Sequence, residues 1–296
     1  MATPIVLLID VLAADATPSD AELRATIRSG GDGTGALSVF DLSASRGDGV
    51  FETLGVVNGA AQSIDAHVER LASSAAALDL PAPNAAQWRE AISRIVALLP
   101  ATGQSSIKLV LSRGVDGSGV PTAWIAGIGS SGFPERETGV RVVLLDRGYA
   151  SDVQERSPWL LAGAKTLSYA VNMAAIREAK RRGADDVLFV SSDGYVLEGP
   201  TSTVVARIDG VYVTPPASSG ILPGTTQLAL FEHLSESGST VDYRMLRPED
   251  LASADGIWLL SSVRLAAPVS EIDGAPVPID HQATTAINDA LLARTD

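Results

Sequence analysis

Lys165 sits in LLAGAKTLSYA, a largely apolar stretch, and no other lysine occurs in the fifty residues before it. A lysine among apolar groups has a depressed pKa because burial disfavours the ammonium, and the neutral amine can form an imine with an aldehyde. Taken alone, the segment reads as a surface lysine whose stem lies along the protein and whose charge stays in water. Glu198 lies in YVLEGPTS, at a strand end before a Gly-Pro turn. It is either a solvated turn carboxylate or the partner of a buried cation, and spacing does not choose. Gly224, Thr225 and Thr226 open a helix in GILPGTTQLALFEHL. Backbone N–H groups and the helix dipole favour an anion there, with two hydroxyls as extra donors. An ordinary threonine cap is the commoner use of such a sequence. Arg70, in DAHVERL, falls on the polar side of an expected helix, where a solvated charge or an ion pair is the usual outcome and a phosphate contact the exception.

Composition removes several classes of function. The formal charge of −13 argues against nucleic acid, which needs a basic patch to neutralise phosphates. The three histidines, His67, His233 and His281, are scattered without metal-ligand spacing, and cysteine is absent, so no metal site is expected. No apolar run is long enough to cross a bilayer, and the first residues carry no basic stretch of the kind that begins a signal peptide. A cytoplasmic setting is expected.

The elements that must carry these residues follow from periodicity. PIVLLIDV (4–11) reads as a buried strand. Residues 19–29 read as a helix with Ser19 as cap and Glu22 three residues on. After the glycine-rich turn GGDGTGA comes a second apolar run, LSVFDL, and Asn58-Gly59 marks a hairpin. Residues 64–78 repeat apolar groups at helical spacing through Ile64, Val68, Leu71, Ala75 and Leu78, and a second helix spans 84–99. IKLVLS (107–112) and TAWIAGI (122–128) read as buried strands. GSSGFPERETG (129–139) has linker composition. It separates an expected N-terminal α/β domain (1–128) from a C-terminal domain (140–296). The latter begins with the strand VRVVLL (140–145). Then follow a helix over about 169–182 stopped by Gly183, a meander through VLFVS, YVLEG, TVVARI and VYVTP, a helix over 225–237, the strand IWLLSSV and a terminal helix over 280–294.

Taken in order, these segments resemble fold-type IV pyridoxal-phosphate enzymes, the group of branched-chain and D-amino-acid aminotransferases and 4-amino-4-deoxychorismate lyases. RGDGVFETLGVVNG with DAHVERLASSAAALDLP resembles their N-terminal signature, AKTLSYAVNMAAIREAKRRGADDVLFVSSDGYVLEGPTSTVV their catalytic segment, and GILPGTT their phosphate turn, over about residues 46–269. The resemblance implies a two-domain α+β fold, a smaller N-terminal α/β domain before a larger mixed C-terminal domain that binds the cofactor, and a homodimer. It implies that Lys165 carries pyridoxal 5′-phosphate as a Schiff base and shuttles the substrate proton. Glu198 would pair with the ring nitrogen. Arg70, Gly224, Thr225 and Thr226 would hold the phosphate, with Ser261 and Ser262 approaching phosphate and substrate. Tyr169 lies near a family position that meets the cofactor's phenolic oxygen, but one residue closer to the lysine. The family's E-G-x-x-S-N motif is also altered, with Thr203 following Ser202 in place of asparagine.

Within the family, SIKLVLSRGVDGSG resembles the lyase pattern. D-amino-acid enzymes carry Arg and His just after S/T-R-G, where this chain has Ser118 and Val120. Branched-chain enzymes have Tyr and Arg near the start of the strand, where it has Ser106 and Lys108. The expected activity is therefore conversion of 4-amino-4-deoxychorismate, a small molecule, to 4-aminobenzoate and pyruvate, with Lys108, Arg113 and Arg264 as cations for substrate carboxylates or as plain structural charges. Aminotransfer from D- or branched-chain amino acids is the alternative. A non-catalytic cofactor-binding protein is the third reading, disfavoured because both Lys165 and Glu198 are kept.

Overall fold

A computed structural model describes residues 4–130 and 132–294. The outermost residues of both expected domains and Ser131 of the expected linker lie outside that set. Contacts divide the chain into two compact units: Met1–Gly132 with Ala164–Tyr169 and Arg294–Asp296, and Phe133–Gly163 with Ala170–Ala293. The passage between them at Gly132 and Phe133 falls within 129–139. Ala164–Tyr169 departs from the expected contiguous 140–296 domain by grouping with the first unit.

The first unit contains β1 (Ile5–Ile9), α1 (Asp20–Ala25), β2 (Ile27–Ser29), α2 (Leu42–Ser45), β3 (Gly49–Val57), β4 (Ala60–Ala61), α3 (Ile64–Ala77), α4 (Ala85–Val96), β5 (Gln104–Ser112) and β6 (Thr122–Gly129). Its six strands run in the order β2-β1-β6-β5-β3-β4, antiparallel throughout. The expected 19–29 helix is shorter than its capping signal suggested. Ser19 and Glu22 form the capping box, but Ile27–Ser29 leaves the helix to pair with β1, where Arg28 meets Asp10. LSVFDL forms no strand: Val39 and Phe40 are exposed and Asp41 caps α2. Asn58 and Gly59 both take positive φ, 49° and 78°, as a tight hairpin turn between β3 and β4 requires.

The second unit contains α5 (Glu135–Thr138), β7 (Val140–Asp146), α6 (Val153–Arg156), α7 (Ala170–Arg181), β8 (Asp186–Val190), β9 (Thr203–Ile208), β10 (Val211–Thr214), α8 (Thr225–Glu236), β11 (Val241–Tyr243), α9 (Pro248–Ala252), β12 (Gly256–Ser261), β13 (Leu265–Ile272), β14 (Ala275–Pro276) and α10 (His281–Leu292). The sheet order is β11-β10-β9-β12-β13-β7-β8, with β14 beside β13. It is mixed: β9, β10, β12 and β13 pair antiparallel, while β13, β7 and β8 pair parallel. YVLEG, expected as a strand, makes two isolated bridges instead, Val196 with Val190 and Gly199 with Ser202. No helix among the described residues is long and apolar enough to cross a membrane.

One strand organises the first unit. Alternation along β3 puts Val50, Leu54 and Val56 on its buried face, and Glu52 falls in the same series. The helix α3 packs over that strand through Val68, Leu71 and Ala75. Glu52 is fully buried, and α3 supplies its partners one turn apart. Arg70 donates Nε to Oε1 at 2.8 Å and Nη2 to Oε2 at 2.7 Å, and His67 Nδ1 lies 2.7 Å from Oε2. The Arg70 side chain is only 10% exposed, so it lies toward the sheet and not on the solvated face expected of it. A carboxylate at 52 is what compensates an arginine there.

Burial alone would raise the Glu52 pKa, but the charge and hydrogen bonds of Arg70, with the His67 hydrogen bond, overcome it and hold the group at about 2. Burial, with the positive charges of Arg70 and Lys165, keeps the His67 pKa below its usual value against the pull of Glu52. Both shifts work against acid. The Glu52 contribution is complete above its usual pKa of 4.5 and is lost as pH falls toward 2, on the order of 3 kcal/mol. The His67 contribution starts to be lost below 6.5, where the unfolded chain takes up a proton and the folded one resists it. Glu52→Gln should cost about 3–5 kcal/mol at neutral pH, because Arg70 is left buried without its counter-charge, and should flatten the acid limb between pH 4.5 and 2. Urea unfolding as a function of pH reads both effects. Leu71→Ala, at a fully buried position beside Arg70, should cost about 2–5 kcal/mol by the same measurement.

Candidate active site

Lys165 belongs to a short strap that runs antiparallel to the free half of β3. Thr166 bridges Val50, Phe51 N–H donates to the Lys165 carbonyl at 3.0 Å, and Leu167 N–H donates to the Gly49 carbonyl at 2.8 Å. The Lys165 N–H donates to Ser74 Oγ of α3 at 3.1 Å. The backbone of the lysine is therefore held by the same strand and helix that carry Glu52 and Arg70. Its ammonium lies 4.5 Å from the centre of the Phe51 ring, and Tyr169 meets that ring edge-on at 5.5 Å.

Lys108 stands opposite Thr53 in the β5–β3 register, on the face away from α3, and its Nζ lies 4.8 Å from the same Phe51 ring. Phe51 thus gathers two amines, a favourable placement for the cations over an electron-rich face. Lys108 makes no hydrogen bond or ion pair among the described residues, and burial lowers its pKa. Arg113 differs. It gives Nε and Nη2 to Asp48, Nη2 to the Leu78 carbonyl and Nη1 to the Asp79 carbonyl. These contacts tie the end of α3 to the start of β3, the structural charge that was the other reading of Arg113.

The second unit presents a different set. Glu198 follows the turn after β8 and its Oε2 accepts the Leu222 N–H at 3.2 Å. Asn172, in the first turn of α7, donates to the Pro200 carbonyl at 2.7 Å and fixes the glutamate's turn from the other side. Thr225 and Thr226 are the first two residues of α8, both buried, and each hydroxyl lies 3.4 Å from Ser262 Oγ. Gly224 is the N-cap and supplies no side-chain acceptor to the first-turn amides, so three hydroxyls and the positive end of a twelve-residue helix meet at one place. Ser261 ends β12 just before Ser262. The altered motif has a packing consequence here: a Cβ at Gly224 would collide with the Thr203 hydroxyl. Arg264 gives Nη1 to Asp186 at 3.0 Å, while its Nε and Nη2 are buried with no acceptor among the described residues.

The donor set fits a phosphorylated pyridine aldehyde. In the first unit Lys165 presents an amine and Arg70 a guanidinium; in the second, Thr225, Thr226 and Ser262 present hydroxyls at the start of α8, a donor group of the kind a phosphate takes. Glu198 offers a carboxylate for a ring nitrogen. Motif reasoning missed Glu52, His67, Phe51, Ser74 and Asn172. Two of them left a signal: an acidic residue on the apolar alternation of β3, and a histidine three residues before Arg70 on the helix that must cover it.

The amino-transferase class IV family matches residues 49–272. The bifunctional aminodeoxychorismate lyase / D-amino acid transaminase of Mycobacterium tuberculosis is 47% identical over 253 residues, which cover 82% of this chain and 88% of that protein. A solved fold IV-transaminase from Curtobacterium pusillum is 48% identical with a TM-score of 0.92, covering 99% of this chain and all of the other. A hypothetical aminotransferase from M. tuberculosis, solved in its PLP-bound form, is 41% identical with a TM-score of 0.85, covering 98% and 99% of the two chains. The chain belongs to the class IV aminotransferases and is a fold-type IV enzyme dependent on pyridoxal 5′-phosphate.

Proposed function

We propose that the chain is a 4-amino-4-deoxychorismate lyase that releases 4-aminobenzoate, a folate precursor, and pyruvate. The observation that carries this reading is Lys108: a part-buried cation with no hydrogen bond or ion pair among the described residues, set beside Lys165 at Phe51. A carboxylate-bearing substrate would restore the ion pairing that Lys108 lacks. The loop after Ser112-Arg113-Gly114 supports the same reading. Ser118 Oγ accepts the Val120 N–H within the loop, and the Val120 side chain is exposed. No arginine or histidine stands there to trap the carboxylate of a D-amino acid.

Bound pyridoxal phosphate supplies a sink for the electron pair left when a proton departs from the carbon bearing the substrate nitrogen. Lys165 removes that proton at Nζ. Arg70 of the first unit and Thr225, Thr226 and Ser262 of the second would supply donors for the phosphate, and the Glu198 carboxylate would serve the ring nitrogen. Lys108 holds a substrate carboxylate, and Arg264 is the second candidate because two of its buried donors have no acceptor among the described residues. Loss of the proton and of the pyruvate side chain leaves an aromatic ring, so no 2-oxo acid is consumed. D-amino-acid aminotransfer is the second reading, favoured by the M. tuberculosis relative whose name joins both activities. The reading carries a homodimer in the cytoplasm, tested by light scattering on the purified protein and by cell fractionation.

Borohydride reduction of the holoenzyme should fix the cofactor mass on a peptide containing Lys165, and Lys165→Ala should abolish that label. Aminodeoxychorismate supplied without any oxo acid should yield 4-aminobenzoate. Turnover only of D-alanine or branched-chain amino acids with 2-oxoglutarate would instead assign the protein to aminotransfer. Lys108→Ala should keep the borohydride label yet lower kcat/KM for aminodeoxychorismate at least tenfold, the loss of a charge-assisted contact of about 1.5–3 kcal/mol.

A further inference from the structure

Ser74 is one of the few polar side chains buried in α3, with 2% of its surface exposed. A serine in a helix interior ordinarily turns its hydroxyl toward its own helix or toward water. Here Oγ accepts the N–H of Lys165, 91 residues away in sequence. The Lys165 carbonyl is taken by Phe51 N–H, so the lysine backbone is gripped on one side by α3 and on the other by β3.

Ser74 lies four residues after Arg70, which places both side chains on one face of the helix. Arg70 is fixed to β3 through Glu52. One helical turn thus separates the attachment of the phosphate-binding arginine from the attachment of the lysine backbone. A proton-transferring amine needs a fixed root and a mobile tip, because its Nζ must reach two positions while its Cα does not drift.

We propose that Ser74 is a positioning residue for Lys165, setting the register between that lysine and Arg70. This rests on the reading of Lys165 as the cofactor-binding lysine. Ser74 touches neither cofactor nor substrate in this role. It acts on the lysine backbone, so its loss affects steps that use the Lys165 amine and spares those that use only phosphate and ring contacts.

The test compares wild type with Ser74→Ala, a change that removes one atom and suits a helix interior. Pyridoxamine 5′-phosphate, which cannot form an imine with a lysine, should bind both proteins within twofold. Pyridoxal 5′-phosphate should form its lysine imine at least fivefold more slowly in the variant, with a displaced pH midpoint in the imine absorbance. By hydrogen exchange with peptide mass spectrometry, the peptide carrying the Lys165 amide should exchange at least tenfold faster in the cofactor-free variant. Ser74→Cys, which keeps a weaker acceptor, should fall between the two. Equal imine formation and equal exchange in Ser74→Ala would overturn the proposal. So would an equal loss of affinity for both cofactor forms, since that points to general damage around Arg70. If wild type itself takes no borohydride label at Lys165, the reading of the lysine fails and this role fails with it. Failure confined to the variant comparison sinks the role of Ser74 alone.

Discussion

A carboxylate buried without exposure is unstable unless its charge is met on the spot, and Glu52 is met by Arg70 and His67 from a single turn of α3. Neither element can shift relative to the other without stranding a charge, which costs several kcal/mol. The pairing therefore acts as a registration device. It selects one placement of α3 on β3 from the many that apolar packing alone would tolerate. The groups the first unit offers to the proposed site hang on that placement: Arg70 directly, Phe51 as the neighbour of Glu52, and Lys165 through a strap hydrogen-bonded to the same strand.

The route of the chain around Lys165 makes physical sense in these terms. The far half of β3 is covered by the short β4, which leaves the N-terminal half with unpaired backbone groups. Ala164–Tyr169 satisfies some of them and gives the backbone of Lys165 a rigid backing. In the second unit a different logic holds. There the groups proposed to bind an anion are backbone and hydroxyl donors at the start of α8, held by close packing of Gly224 against Thr203.

Charge is distributed unevenly with respect to function. The chain is strongly acidic, with a formal charge of −13, yet the groups around Phe51 are two lysines. The carboxylate-bearing substrate proposed above would gain no long-range attraction from such a balance. Its recognition would rest on short-range contacts with Lys108, whose part-buried charge interacts more strongly than it would in water.

Much of this was legible in the residues. The order of Arg70, Lys165, Glu198 and the Gly224-Thr225-Thr226 turn carried the family and its cofactor. Periodicity located α3, α4, α8 and most strands, because those segments bury one face and local pattern is enough to say so. It did less well where tertiary pairing overrode local preference. Ile27–Ser29 left its helix for β1, LSVFDL stayed irregular, and Arg70 turned inward although its helix position read as polar. Arg113 looked like a substrate cation because its partners, Asp48 and two carbonyls, lie 34 or more residues away. The amino-acid sequence by itself determined which chemical groups are present and in what order, since that needs only side-chain identity. Tertiary structure decided which of them are free to act, because pairing, burial and the grip of Ser74 on Lys165 are made between segments that local sequence does not join.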